Sequence, residues 1–263
     1  MSAGQLLGRA TSNTSRVLAG IRDALGQQAP DRLALMLYGS VARGTQGDDS
    51  DIDVLELVSG DAATYQVGTI NVTQYRPAHL RALAAQGSLF VLHLRTDGVV
   101  IEDRFGLLTR TLEAYERPLT YAPIWDQLAT AAGVLDVSAH DVRGYLRGLG
   151  RLGVYIARTA AYLRSVEAGE VNFDIGLLSQ QLDQPGLADA VALRRQATFS
   201  LSDIAKLRHE IERIVPNVPS GPIESVESYA IAHADHGELA MLMATVLTDE
   251  DELEYSALTL PPF

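Results

Sequence analysis

The stretch from Leu37 to Val58, LYGSVARGTQGDDSDIDVLELV, constrains this chain more than any other. One apolar run, Leu33–Tyr38, enters a glycine, and a second, Ile52–Val58, ends at Ser59-Gly60. Short apolar runs bounded by turn residues read as strands of a buried sheet. Between them lie Gly39, Ser40 and Arg43, and at the start of the second run stand Asp51 and Asp53. Residues two apart in a strand share a face, about 6–7 Å apart along the backbone, so the two carboxylates project side by side. Such a pair repels itself unless a cation sits between its members. Oxygen donors with no histidine or cysteine nearby favour Mg²⁺ or Mn²⁺. Magnesium binds through a couple of carboxylates plus substrate phosphates, and the Gly-Ser turn fits that preference. A strand ending at Gly39 and a helix opening at Ser40 would aim backbone N–H groups and the positive helix end at an anion. Gly39 lets the backbone approach, the Ser40 hydroxyl can donate to a phosphate oxygen, and Arg43 adds charge one turn on.

The rest of the chain reads as two regions. Residues 3–28 carry Leu18, Ile21 and Leu25 at helical spacing,. Ile70–Tyr75, INVTQY, is a third strand, stopped by Pro77, which opens a helix through Leu83; Ser88–Leu94 is helical, and DGVVIED reads as a short hairpin around Asp97-Gly98,. Glu116–Pro123, with two prolines in eight residues, is the linker. Beyond it the pattern turns to long helices: Ser138 as N-cap with Asp141 in the first turn of a helix to about Glu167, a helix from Ser202-Asp203 to just before Pro216, and a last one over Glu224–Leu247,. The expected fold is α+β, a mixed sheet with flanking helices over residues 1–117 followed by an all-helical domain over residues 118–263.

Composition narrows the function. The formal charge is −12, and about −7 without the five acids of the tail TDEDELEY. An acidic chain disfavours a long nucleic-acid partner and is compatible with a cationic small molecule or a protein. There is no cysteine, hence no disulfide and no thiolate metal site,. No apolar run approaches the ~20 residues of a membrane helix, and the N-terminus has no signal-type apolar core, so a cytoplasmic protein is expected.

The order Gly39-Ser40, ten residues, Asp51-Ile52-Asp53, together with GSVARG and SDIDV, resembles the signature of the DNA polymerase β-like nucleotidyltransferase superfamily. The resemblance covers roughly residues 30–105, and INVTQYRPAHL…GSLFVLHL is similar to minimal nucleotidyltransferase domains. It implies that a nucleoside triphosphate, most simply ATP, binds with Mg²⁺ or Mn²⁺ held by Asp51 and Asp53, and that an acceptor oxygen attacks the α-phosphorus. The family also implies a third carboxylate from the strand after the aspartate pair. INVTQY has none; Asn71 stands where it is expected and can ligate a metal only through its carbonyl oxygen. Three alternatives stay open: another acid, such as Asp97, Glu102 or one of the helical domain, takes that role; two carboxylates suffice; or the domain binds nucleotide without turnover.

In the helical region Arg143, Arg147, Arg151 and Arg158 fall within about 80° of one another on the helix from Ser138, with Tyr145, Leu149, Leu152, Ile156 and Leu163 opposite. Facing a cleft, Arg147 and Arg151 would help hold the triphosphate; otherwise the stripe is a solvated basic face and the glycines at 144, 148, 150 and 153 admit a neighbouring helix. Glu167, Glu170 and Asp174 are candidate bases. His93 reads as a core histidine, and Tyr121 and Trp125 as packing groups that could stack a base. His233 and His236 have a metal-compatible spacing that a polar helix face also explains. The expected function is transfer of a nucleoside monophosphate, AMP from ATP, to a hydroxyl of a small molecule such as an aminoglycoside. The alternatives are an antitoxin that adenylylates or binds a partner toxin, and a non-catalytic nucleotide-binding module.

Overall fold

Each apolar run that ends at a turn residue becomes a strand of one sheet. The computed structural model describes residues 12–26, 31–47, 51–235 and 237–248. They divide into two units, the first ending at Pro118 and the second beginning at Leu119.

The first unit contains helix α1 (Ser12–Leu25), strand β1 (Arg32–Tyr38), the short helix α2 (Gly39–Arg43), and strands β2 (Ile52–Val58), β3 (Thr64–Val67) and β4 (Ile70–Tyr75). Helices α3 (Pro77–Ala85) and α4 (Leu89–Asp97), strand β5 (Val99–Asp103) and helix α5 (Leu107–Glu113) follow. The sheet order is β3-β4-β2-β1-β5. β1 runs antiparallel to β2 and β5, β3 antiparallel to β4, and β2 parallel to β4. A parallel pair needs a crossover; here the crossover carries the short strand β3 at the sheet edge.

Both faces are covered. Ile21 and Leu25 of α1 pack with Leu35, Leu37, Val54 and Val72 on one face. Met36, Tyr38, Leu55, Leu57 and Tyr75 pack with Leu80, Phe90, Leu94 and Leu112 on the other. Two-residue alternation puts Asp53 on the face of Leu55 and Leu57, and Asn71 on that of Tyr75, so both belong to the side covered by α3, α4 and α5.

Two differences from the sequence expectation lie in this unit. Residues 97 and 98 make no hairpin: α4 continues to Asp97, Gly98 separates it from β5, and β5 pairs with β1. Asp51 lies outside β2, exposed, immediately before the first paired residue. The expected helix over residues 3–28 is described only from Ser12 to Leu25.

The second unit is helical: α6 (Ala122–Gly133), α7 (Leu146–Glu167), α8 (Ile175–Gln181), α9 (Gly186–Ala192), α10 (Leu201–Ile214), α11 (Val226–Ala232) and α12 (Glu238–Leu247). α7 is its buried centre, with Leu149, Leu152, Ile156 and Leu163 fully enclosed. Side chains at Gly148, Gly150 and Gly153 would crowd Val246, Phe199 and Leu207, so these glycines admit neighbouring elements.

The long helix does not begin at Ser138. The Ser138 amide donates to Asp136 at 2.9 Å, and Asp141 accepts from the Val226 and Glu227 amides at 2.8 and 3.3 Å, satisfying the first amides of α11, whose N-cap is Ser225,. Residues 142–144 form one tight turn, and α7 starts at Leu146. Ser200, rather than Ser202, caps α10, in a capping box with Asp203,. The last helix is two, α11 and α12, parted around Gly237 (φ +53°).

Candidate active site

The Gly39-Ser40 turn is built by two glycines in the left-handed region. Gly39 has φ +77° and Gly44 φ +76°, conformations that cost a side chain about 1–2 kcal/mol. The amides of Gly44 and Thr45 close α2 on the carbonyls of Val41 and Ser40 at 3.2 and 3.0 Å. This tight loop leaves β1 directly beside the start of β2, where Tyr38 is the register partner of Asp53.

Asp53 is the focus of the site. A Cβ placed on Gly39 would lie 2.7 Å from Asp53 Oδ2, so the carboxylate rests against the bare glycine backbone. On its other side Asp53 pairs in register with Asn71 of β4, about 4.8 Å away across the strands. Asp51 is exposed just ahead of β2, and the amide of the intervening Ile52 is held by the Thr69 carbonyl at 2.9 Å. These side chains supply only hard oxygen donors around a cradle that any Cβ at position 39 would fill. That donor set fits Mg²⁺ or Mn²⁺. Among the described residues no group of three or more His, Asp or Glu side chains is gathered to hold a metal.

Arg43 ends α2, half-buried. Its Nη1 donates to Asp97 Oδ2 at 2.8 Å and lies 3.2 Å from His93 Nε2. His93 is therefore a polar partner at the site rather than a core filler, and its ring meets Tyr38 edge-on at 5.9 Å. Burial opposes ionisation of Asp97, but the hydrogen bonds and charges of His93 and Arg43 outweigh it and hold the carboxyl below its ordinary range,. The i, i+4 spacing of His93 and Asp97 in LFVLHLRTD was the sequence signal for this cluster.

Of the other acids considered as third carboxylate or base, all but Glu170 have partners. Asp97 is paired with Arg43, and Glu102 contacts Arg104 and, at 3.6 Å, Arg32. In the second unit Glu167 accepts from Trp125 Nε1 at 3.0 Å, Asp174 caps α8 through the Leu177 amide at 3.0 Å, and Glu170 is exposed. Trp125 is buried under the Arg164 guanidinium, 4.7 Å from its ring centre, and Tyr121 is buried too, so both serve packing.

The arginine stripe is shorter than the periodicity implied. Arg147 and Arg151 are partly buried on α7, Arg143 precedes the helix, and Arg158 is buried within it. Tyr145, expected on the buried face, also precedes α7 and bonds Glu227. His233 bonds the Tyr229 carbonyl at 2.8 Å; His236 lies outside the described residues. An open concavity of about 380 Å³ in this unit is lined by Asp136, Arg208, His209 and Glu212. Its polar groups serve the fold: Arg208 binds Glu212 and the Pro219 carbonyl, and Asp136 binds the Ser138 and Ile223 amides. No helix among the described residues is long and apolar enough to cross a membrane.

Residues 18–86 match the family model of the nucleotidyltransferase domain. Among solved structures, a nucleotidyltransferase-like protein from Exiguobacterium sibiricum 255-15 is 14% identical, with 90% of this chain and 81% of that chain covered at a TM-score of 0.29. So loose a superposition carries no argument about any residue. No curated protein matches the chain.

Proposed function

We propose that this chain moves a nucleoside monophosphate, AMP from ATP, to a hydroxyl of a small molecule, a reading supported by the match of residues 18–86 to the nucleotidyltransferase domain model. The observation that carries this reading is the position of Asp53. It lies against the backbone of Gly39 on one side and in register with Asn71 on the other. That puts metal-type donors beside a phosphate-type turn.

In this reading Asp51, Asp53 and Asn71 would hold Mg²⁺ or Mn²⁺, and the ion would supply charge neutralisation for the transferring phosphoryl group. Gly39 keeps the carboxylate and the turn in contact, Ser40 donates to a phosphate oxygen, and Arg43 balances the triphosphate charge. The acceptor oxygen bonds the α-phosphorus, the bond to the bridging oxygen breaks, pyrophosphate leaves with the electron pair, and the hydroxyl proton is lost to solvent. The acidic composition suits a cationic acceptor of the aminoglycoside kind,. A second reading, nucleotide binding without turnover, is favoured by Asn71 standing where the family has a carboxylate and by the ion pairing of Asp97 and Glu102.

The test is incubation with α-labelled ATP and Mg²⁺, alone, with an aminoglycoside panel and with a cell lysate, beside Asp53→Ala. Label on a small molecule, lost in the variant, supports the proposal. Label on a protein moves the acceptor to a polypeptide. ATP binding with no transfer in any arm favours the second reading.

A further inference from the structure

Arg43 sits at the end of a helix of only five residues, and its long side chain has nothing in α2 to fix it. The fixing groups come from α4. Asp97 and His93 lie one turn apart on a single helix face, and both meet the same guanidinium nitrogen, Nη1. The three side chains are 18%, 9% and 12% exposed for Arg43, Asp97 and His93. The His93 ring also touches Tyr38, the residue before Gly39 and the register partner of Asp53. We infer that Asp97 and His93 are positioning residues that set the plane of the Arg43 guanidinium toward a bound triphosphate, an inference that rests on the nucleotidyl-transfer reading above.

The physical ground is the shape of the arginine head. Its donors are arranged in a rigid planar fork, so anchoring one terminal nitrogen orients the other. Nη2 makes no hydrogen bond to the described residues, and with Nη1 held it becomes the arm for a phosphate oxygen. A preoriented donor binds more tightly than one that must be ordered by the ligand. The pairing also explains why a half-buried cation persists before any phosphate arrives.

The experiment is calorimetric binding of Mg²⁺ with α,β-methylene-ATP to the wild type, Asp97→Asn, Arg43→Ala and the double variant, with melting temperatures of all four. Positioning through Arg43 predicts that Asp97→Asn weakens binding up to about tenfold, and that the double variant binds no more weakly than Arg43→Ala alone. If Asp97→Asn does not fold, His93→Leu takes its place: a several-fold loss only while Arg43 is present supports the inference. Variants that bind as the wild type does, or whose losses add in full to that of Arg43→Ala, overturn it while leaving the transferase reading intact. A wild-type protein that binds no triphosphate overturns both.

Discussion

Gly39 and Asp53 occupy one space: the point where a Cβ of residue 39 would stand is 2.7 Å from the carboxylate oxygen Oδ2 of Asp53. The smallest substitution at Gly39 must therefore move the carboxylate, and it must also hold a side chain at φ +77°. Gly39→Ala should cost about 1–2 kcal/mol of stability from the backbone alone. It should reduce nucleotidyl transfer about as far as Asp53→Ala does. Urea unfolding beside the labelled-ATP assay checks both halves; full activity in a folded Gly39→Ala protein would mean that Asp53 is not the metal-holding group.

Asn71 shares the register position of Asp53 on the neighbouring strand. Asn71→Asp puts a second carboxylate against the first, and like charges that close repel without a cation. The variant should melt below the wild type in EDTA and recover more than the wild type does on addition of Mg²⁺ or Mn²⁺. A metal-independent difference in melting temperature would speak against a shared ion between strands β2 and β4.

Glu56 presents a different kind of acid on the same strand. It is fully buried and accepts from Arg32 Nη1 at 3.1 Å, Tyr65 Oη at 2.9 Å and Gln74 Nε2 at 2.9 Å. Burial and then the Glu56 charge push the Tyr65 hydroxyl far above its ordinary value. Removing one member of a buried ion pair strands the other, so Glu56→Ala should lose about 3–5 kcal/mol in a denaturant titration. A loss under about 1 kcal/mol would show that the cluster is not an energetic hub.

Stability should also fall on acidification, through two groups in succession. Burial lowers the pKa of His79 below 6.5, so between that lower value and 6.5 the unfolded chain holds more protons than the native one,. Native stability is then complete above pH 6.5 and declines as the pH drops below it. Asp97, held below 3.8 despite its burial, contributes stability present above pH 3.8 that is lost as the pH falls through its native pKa,. Urea midpoints at about pH 7.5 and about pH 5.5 should differ less in His79→Gln than in the wild type; an equal difference assigns the slope to other groups.

Much of the first unit was legible because its strands are short apolar runs closed by turn residues: β2 and β4 have the very limits that the pattern implied,. The neighbourhood of Gly39, Asp53 and Asn71 follows from the same runs, since strand order brings them to one end. The edge strand β3 was not, because TYQV alternates exposure and carries too little apolar signal. The Arg43–Asp97 pair was hidden by its separation of 54 residues, which no local period spans. In the second unit Ser138 and Asp141 have the residue types of a helix start, yet the Ser138 amide turns back to Asp136, and the Val226 and Glu227 amides claim the Asp141 carboxylate. Local capping chemistry names the type of acceptor and leaves its partner open.

The crossover from β2 through β3 to β4 has a consequence for how this site tolerates change in chain length. Ile70 and Val72 are buried on the α1 face while Asn71 between them belongs to the other. A slip of β4 by one residue would carry Asn71 away from Asp53 and, at the same stroke, turn Ile70 and Val72 out of their core. The apolar residues thus act as a ruler for the polar one: whatever insertion the turns around β3 absorb, oil-like packing returns the strand to the notch at which its amide meets the carboxylate.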